Sequence, residues 1–169
     1  MEADEVPRFE VWVRERGAAM LRFGYLVTRD QGRAEEAVQD ALVAAYPRWS
    51  RICRAGDPEA YVRRSIVNAD ISGWRRFRRR ETPVADAPAP KYDQPDHAGD
   101  VAEQDAVWAL CATLPKRQRA AVVLRYYEGL PDAAIAEILG CTAGTVRSQI
   151  SRALATLRTR LSVAEEVQT

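Results

Sequence analysis

The chain has 169 residues, 47% of them hydrophobic and 29% charged, with a formal net charge of +1, which is the composition of a globular protein able to bury one core or two small ones. No stretch approaches the roughly 18 apolar residues of a membrane span, and Cys53, Cys111 and Cys141 are too scattered for a disulfide framework or a cysteine zinc site and read instead as buried thiols. His97 is the one histidine, so no histidine-based catalytic or metal constellation is available, and the expectation is a protein that is not an enzyme and needs no cofactor or metal.

In chain order, Phe9, Trp12, Val13, Met20, Phe23 and Val27 mark a first amphipathic helical segment, interrupted at Arg16 and Gly17. A second follows Thr28 and Asp30. Ala34, Val38, Ala41, Leu42, Ala45, Tyr46 and Trp49 give it a broad apolar face, and Pro47 is expected to kink or end it. Its polar edge is Glu35, Glu36, Gln39 and Asp40. Glu36 and Asp40 are a like-charge pair four residues apart, with no lysine or arginine on that edge, at a cost of a few tenths of a kcal/mol. A basic protein partner would relieve that pair; a solvated helix face is the plainer alternative.

Asp57, Pro58 and Glu59 supply a cap, a first-turn proline and a first-turn acid in the preferred order, and predict a third helix running to about Arg80. On it Val62, Ile66, Ala69, Gly73 and Phe77 share one side, and Arg64, Asn68, Ser72, Arg75 and Arg79 the opposite one. Trp74 falls on the flank of the polar face, where an aromatic ring can stack a base that has left the duplex. The alternative packs Trp74 on a neighbouring helix and leaves the arginines solvated.

Residues 82–103 read as a flexible acidic linker, since Pro83, Pro88, Pro90 and Pro95 prevent regular structure and little apolar material is present. Charge changes sign around it. Residues 51–81 carry nine basic and four acidic side chains, residues 82–105 one and six, and residues 106–161 eight and three. The two basic blocks are candidate phosphate-facing surfaces.

Beyond the linker, Val107, Leu110, Cys111 and Leu114 precede Pro115, and Ala120 to Tyr127 lead into a helix-turn-helix over 130–161. Ile135, Ala136 and Leu139 form the stripe of its first helix, Gly140 ends that helix, and Thr142 caps the next. In the second helix Val146, Ile150, Leu154, Leu157 and Leu161 face a core, while Arg147, Ser148, Ser151 and Arg152 face away. That outer set suits a major groove. Arginine can bond guanine bidentately, serine can reach bases or phosphate, and the helix N-terminus at Thr142 favours a phosphate oxygen. A helical hairpin with a solvated face is the competing reading. The expected fold is all-α: two small helical domains, 1–81 and 104–163, joined by the 82–103 linker and followed by a short tail, 164–169.

The ordered segments AEEAVQDALVAAY, DPEAYVRRSIVNADISGWRRFRRRE, LPKRQRAAVVLRYYEGL and AEILGCTAGTVRSQISRALATLR resemble extracytoplasmic-function sigma factors of the sigma-70 family, especially the SigE-like subgroup common in high-GC bacteria. The resemblance implies a transcription initiation factor whose partners are core RNA polymerase and promoter DNA, and it allows an anti-sigma factor as a third. It implies that the first domain is sigma region 2 and the second sigma region 4. On that resemblance Glu35, Glu36, Val38, Gln39 and Asp40 dock on the polymerase clamp. The loop from Arg51 to Glu59, with Arg54, and the helix bearing Arg64, Asn68, Ser72, Trp74, Arg75 and Arg79 meet the melted minus-10 element. Thr142, Thr145, Arg147, Ser148, Ser151 and Arg152 meet the minus-35 duplex, with Arg117 as a phosphate contact.

Three positions depart from the family pattern. Ala37 stands where leucine is commoner, Gln149 where a basic residue is, and Pro131 where serine or threonine is, which makes Asp132 the expected helix cap. The acidic start MEADEVPRFE lacks signal-peptide features, so a cytoplasmic location without membrane insertion is expected. Two other readings remain open: a dimeric helix-turn-helix regulator, and a helical polymerase-binding modulator that does not read DNA.

Overall fold

A computed structural model describes residues 5–72 and 101–167, with side chains described for 8–72 and 106–167. The chain divides into two compact units, Met1–Pro95 and Asp96–Thr169. Among the described residues the regular structure is helical, with no strand.

The first unit holds α1 (Glu5–Thr28), α2 (Gln31–Ala45), a 3-10 turn (Tyr46–Arg48), α3 (Trp49–Ala55) and α4 (Pro58–Ile71). Contrary to expectation, α1 runs unbroken through Arg16 and Gly17. Gly17 is buried, and Arg16 pairs with Glu59 of α4. The α1–α2 turn puts Arg29 at a φ of 57°, after which Asp30 Oδ1 accepts from the Arg33 amide at 2.8 Å and caps α2.

Small residues let α1 and α2 approach closely. Ala34, Ala37, Ala41 and Ala45 are each at most 2% exposed, and a Cβ on Gly24 would stand 3.4 Å from both Ala34 Cβ and Val38 Cγ2. Around them Met20, Phe23, Val27, Val38, Val62, Ile66 and Val67 fill the core, each side chain contributing about 1.5–3 kcal/mol by burial.

Pro47 ends α2 as expected, yet the chain turns directly into α3. Trp49 therefore belongs to α3, where its ring meets Phe9 and Trp12 edge-on at 4.9 and 5.2 Å. Residues 51–55, expected in a loop, are helical, which reduces the α3–α4 connection to Gly56 and Asp57. Gly56 takes a φ of 105°, open to glycine at little cost, and Asp57 Oδ1 accepts from the Ala60 amide at 2.9 Å. Helix α4 ends at Ile71 with Ser72 as its C-terminal cap, short of the Arg80 expected; the stretch 73–100, which holds most of the expected linker and His97, lies outside the described residues.

The second unit holds α5 (Val101–Cys111), α6 (Lys116–Val122) with a π-helical turn (Val123–Tyr127), α7 (Asp132–Leu139) and α8 (Ala143–Val167). Helix α5 thus begins inside the stretch expected as linker, and α8 runs on through 164–167, expected as tail. Its core joins Cys111, Leu114, Val122 and Ala153, flanked by Trp108 and Leu157, with Leu124, Ile135 and Val146 fully buried. Leu161, expected to face the core, is 47% exposed, because no described element covers α8 so far along its length. Of the three thiols only Cys111 is buried; Cys53 is exposed and Cys141 intermediate.

Candidate nucleic-acid interface

In the first unit α2 and α4 each present one polar edge. On α2, Glu36, Gln39 and Asp40 are exposed and Glu35 half-buried, with Glu35 Oε1 accepting from Gln31 Nε2 at 3.2 Å. Glu36 has an interaction of its own besides. Val38 is a correction: at 2% exposure it packs in the core and offers no docking surface. Its position on the α2 stripe at the i+4 spacing from Ala34 is what buries it.

On α4, Arg64, Asn68 and Ser72 are exposed on the side opposite buried Val62 and Ile66. Ser72 Oγ donates to the Asn68 carbonyl, as does the Ser72 amide at 2.9 Å. Arg54 is exposed on α3, with Nε donating to the Ser50 carbonyl at 3.3 Å. Trp74, Arg75 and Arg79 lie outside the described residues.

The periodicity reading missed what holds these two edges together. Asp70, fully buried, accepts from Arg33 Nη2 at 2.7 Å, tying α4 to α2. A second tie clamps α1 to the start of α4, where Glu59 accepts from Arg63 at 2.7 Å and pairs with Arg16. A charged residue on an otherwise polar-looking helix is counted as outward by pattern alone. The signal that could have found Asp70 is its placement four residues after Ile66, on the buried stripe.

In the second unit the helix-turn-helix forms from α7 and the first turns of α8. Gly140 ends α7 at a φ of 63°, and the Cys141 amide donates back to the Ala136 carbonyl at 3.0 Å. Thr142 caps α8 as expected, Oγ1 accepting from the Thr145 amide at 3.1 Å and lying 3.0 Å from Thr145 Oγ1. Arg147, Ser148, Ser151 and Arg152 are all exposed, and at 100° per residue they fall within an arc of about 140°. A helix bearing two arginines and two serines on one such face can enter a major groove.

One expectation changes here. Asp132 does not cap α7: Pro131 holds the cap position with no side-chain bond, and Asp132 is the first helical residue. Its carboxylate pairs instead with Arg125 and, at 3.4 Å, with Arg147 Nη1. Arg117 is exposed, but its guanidinium donates to the Leu139 carbonyl at 3.3 Å and so satisfies the end of α7. Arg119, which carries part of the basic count, is 6% exposed and bonds the Ala112 carbonyl at 3.2 Å.

Among the described residues no group of histidine, cysteine and carboxylate side chains could hold a metal ion, and no helix is long and apolar enough to cross a membrane.

The family described as Sigma-70, region 4 matches residues 104–157. The RNA polymerase sigma-E factor of Streptomyces coelicolor is 37% identical over 161 residues, covering 93% of this chain and 88% of its own length. That of Streptomyces avermitilis is 35% identical over 161 residues, covering 95% and 89%. The ECF RNA polymerase sigma factor SigM of Mycobacterium tuberculosis is 31% identical over 150 residues, covering 88% and 74%. Among solved structures, the sigma factor RpoE of Bartonella quintana, in complex with the anti-sigma factor NepR, superposes with a TM-score of 0.69 at 25% identity, covering 92% of this chain and 98% of its own.

Proposed function

The chain belongs to the extracytoplasmic-function sigma factors of the sigma-70 family, and from that premise we propose how its surfaces divide the work of initiation. As a sigma factor it binds core RNA polymerase and directs promoter-specific transcription initiation; it carries no catalytic site of its own. The first unit acts as region 2. The exposed α2 edge of Glu35, Glu36, Gln39 and Asp40 docks on a basic surface of the polymerase, and the α4 face of Arg64, Asn68 and Ser72, with Arg54 of α3, meets the opened minus-10 strand. Trp74, Arg75 and Arg79 extend that role along the sequence that follows.

The second unit acts as region 4. Arg147, Ser148, Ser151 and Arg152 enter the major groove of the minus-35 duplex, while Thr142 and Thr145 seat the N-terminus of α8 against phosphate. Residues 1–81 and 104–163 are the two functional domains, with 82–103 as the tether. The sigma factor works in the cytoplasm, where its polymerase is, and an anti-sigma factor occludes it when it is silent, as the solved relative in complex with NepR suggests.

The observation that carries this reading is coverage: a sigma-E factor relative aligned over 93% of the chain takes in the α2 edge, the α4 face and the helix-turn-helix together. A lone helix-turn-helix regulator would account for the last alone. The test is run-off transcription with purified core polymerase and genomic promoter fragments. Discrete transcripts that require the chain are expected; none above core polymerase alone would overturn the reading.

A further inference from the structure

The carboxylate of Asp132 sits between two arginines that differ in freedom. Arg125 is held twice, its Nε donating to the Leu130 carbonyl at 3.1 Å and its Nη2 meeting Asp132 Oδ1. Arg147 is 67% exposed and touches the other carboxylate oxygen, Oδ2, through Nη1 at 3.4 Å. A chain of polar contacts thus runs from the backbone beyond the π-helical turn, through Arg125 and Asp132, to an arginine on the outer face of α8. These groups line an open groove of about 240 Å³ with Ser151 and Arg158.

We infer that Asp132 is a specificity-determining residue: it orients Arg147 for one base pair and offsets part of the charge that would otherwise bind any phosphate. The inference rests on the proposed reading that the outer face of α8 enters the duplex.

Two physical arguments support it. A guanidinium has five N–H donors in a fixed fork, and only Nη1 is committed to Asp132. The fork remains available for the bidentate bond to a guanine edge, with fewer rotamers left to lose on binding. The second argument is electrostatic. Arginine near phosphate raises affinity for every sequence through counterion release; a carboxylate on the same guanidinium weakens that sequence-independent term and repels the backbone itself.

The experiment uses holoenzyme reconstituted from core polymerase and full-length chain. Binding is measured by fluorescence anisotropy over a salt series, on a duplex selected by wild-type holoenzyme from a randomised pool and on the same duplex with its selected positions scrambled. Asp132→Asn should bind the scrambled duplex more tightly, steepen the slope of log affinity against log salt by up to about one, and cut the selected-to-scrambled ratio roughly fivefold. In an Arg147→Ala background the same substitution should leave the ratio unmoved, because Asp132 acts through Arg147.

Asp132→Glu retains the charge and moves it by one methylene. It should keep the wild-type slope and lose discrimination, and it decides the matter if the asparagine variant fails to fold. An unchanged ratio in Asp132→Asn, or in Asp132→Glu where that variant decides, alongside a ratio lost in Arg147→Ala overturns the inference and leaves the DNA-reading face intact. A ratio unchanged in Arg147→Ala as well removes the face and the inference together.

Discussion

In the first unit the carboxylate of Asp70 is fully buried and meets Arg33 at 2.7 Å, whereas in the second the carboxylate of Asp132 is 26% exposed and reaches Arg147 at 3.4 Å. The two pairs use the same chemistry for opposite ends. A carboxylate taken fully out of water costs desolvation that only good geometry repays, and once paired it penalises any movement that parts it from its partner. Its effect is to hold α4, with Asn68 on its outer face, in one position against α2, which carries Asp40. A pair at the surface is worth little to folding, so the Asp132 pair is free to direct a side chain instead. On the proposed reading, helix edges fixed in this way would serve a protein partner and an opened strand, and a guided, solvent-exposed arginine would serve a groove.

The comparison breaks most sharply at Arg33. Replacing it with methionine keeps most of the volume but takes the guanidinium from the buried Asp70 carboxylate, for which up to about 3 kcal/mol of lost stability is expected. Arg147→Met should change stability by less than about 0.5 kcal/mol, because that side chain is mostly solvated. Urea denaturation of the two variants followed by near-ultraviolet circular dichroism measures both. Equal losses would mean that the buried pair is no more of a structural tie than the exposed one.

Next in size is the docking edge. Asp40→Arg places a positive charge on an edge proposed to meet a basic surface, and like charges brought together at an interface cost several kcal/mol. A loss of about thirtyfold or more in affinity for core polymerase, roughly 2 kcal/mol, is expected with helicity unchanged, since Asp40 is exposed. Co-purification and far-ultraviolet circular dichroism read the two quantities. Retention of core polymerase by Asp40→Arg would remove the edge from the interface.

What pattern could and could not supply follows the same division between the units. The faces of α4 and α8 were legible because burial there obeys the helical period: Val62 and Ile66 inward, Arg64 and Asn68 outward; Val146 and Ile150 inward, Arg147 and Ser151 outward. Period puts Asp70 on the stripe of Ile66 but cannot name the partner that lets a carboxylate stay there, since that partner can be anywhere in the chain; Arg33 lies 37 positions before Asp70. Nor can it say whether a glycine breaks a helix or lets a neighbour approach: α1 runs unbroken through Gly17, and at Gly24 it lets α2 come close. Pro131 displaced the expected cap for a further reason. With Pro131 in the cap position Asp132 becomes the first helical residue, and its carboxylate is engaged by two guanidinium groups instead.

A smaller effect is expected on the opened strand. Asn68→Ala removes one exposed amide from a helix whose packing it does not enter, so stability and polymerase binding should hold. A side chain that bonds a base edge is worth about 1–3 kcal/mol, so open complexes on a duplex promoter should fall about tenfold. Pre-melting the minus-10 region should restore part of that loss if the residue aids strand separation. Permanganate footprinting on duplex and pre-melted promoters compares the two, and normal opening by the stable variant would take Asn68 out of the site.

The smallest expected effect tests whether Thr142 acts on DNA directly or through its helix. Its hydroxyl already accepts from the Thr145 amide at 3.1 Å and lies 3.0 Å from the Thr145 hydroxyl, so its main work is to cap α8. Thr142→Ala should therefore destabilise the protein by about 0.5–1 kcal/mol while lowering affinity of the holoenzyme for the selected duplex by less than about twofold. Thr142→Ser, which keeps the capping oxygen and drops the methyl, should restore the stability. If the alanine variant loses tenfold in affinity at unchanged stability, the hydroxyl is a phosphate contact first and a cap second. The surface of the second unit would then resemble the first, with its binding groups fixed in place rather than guided from behind.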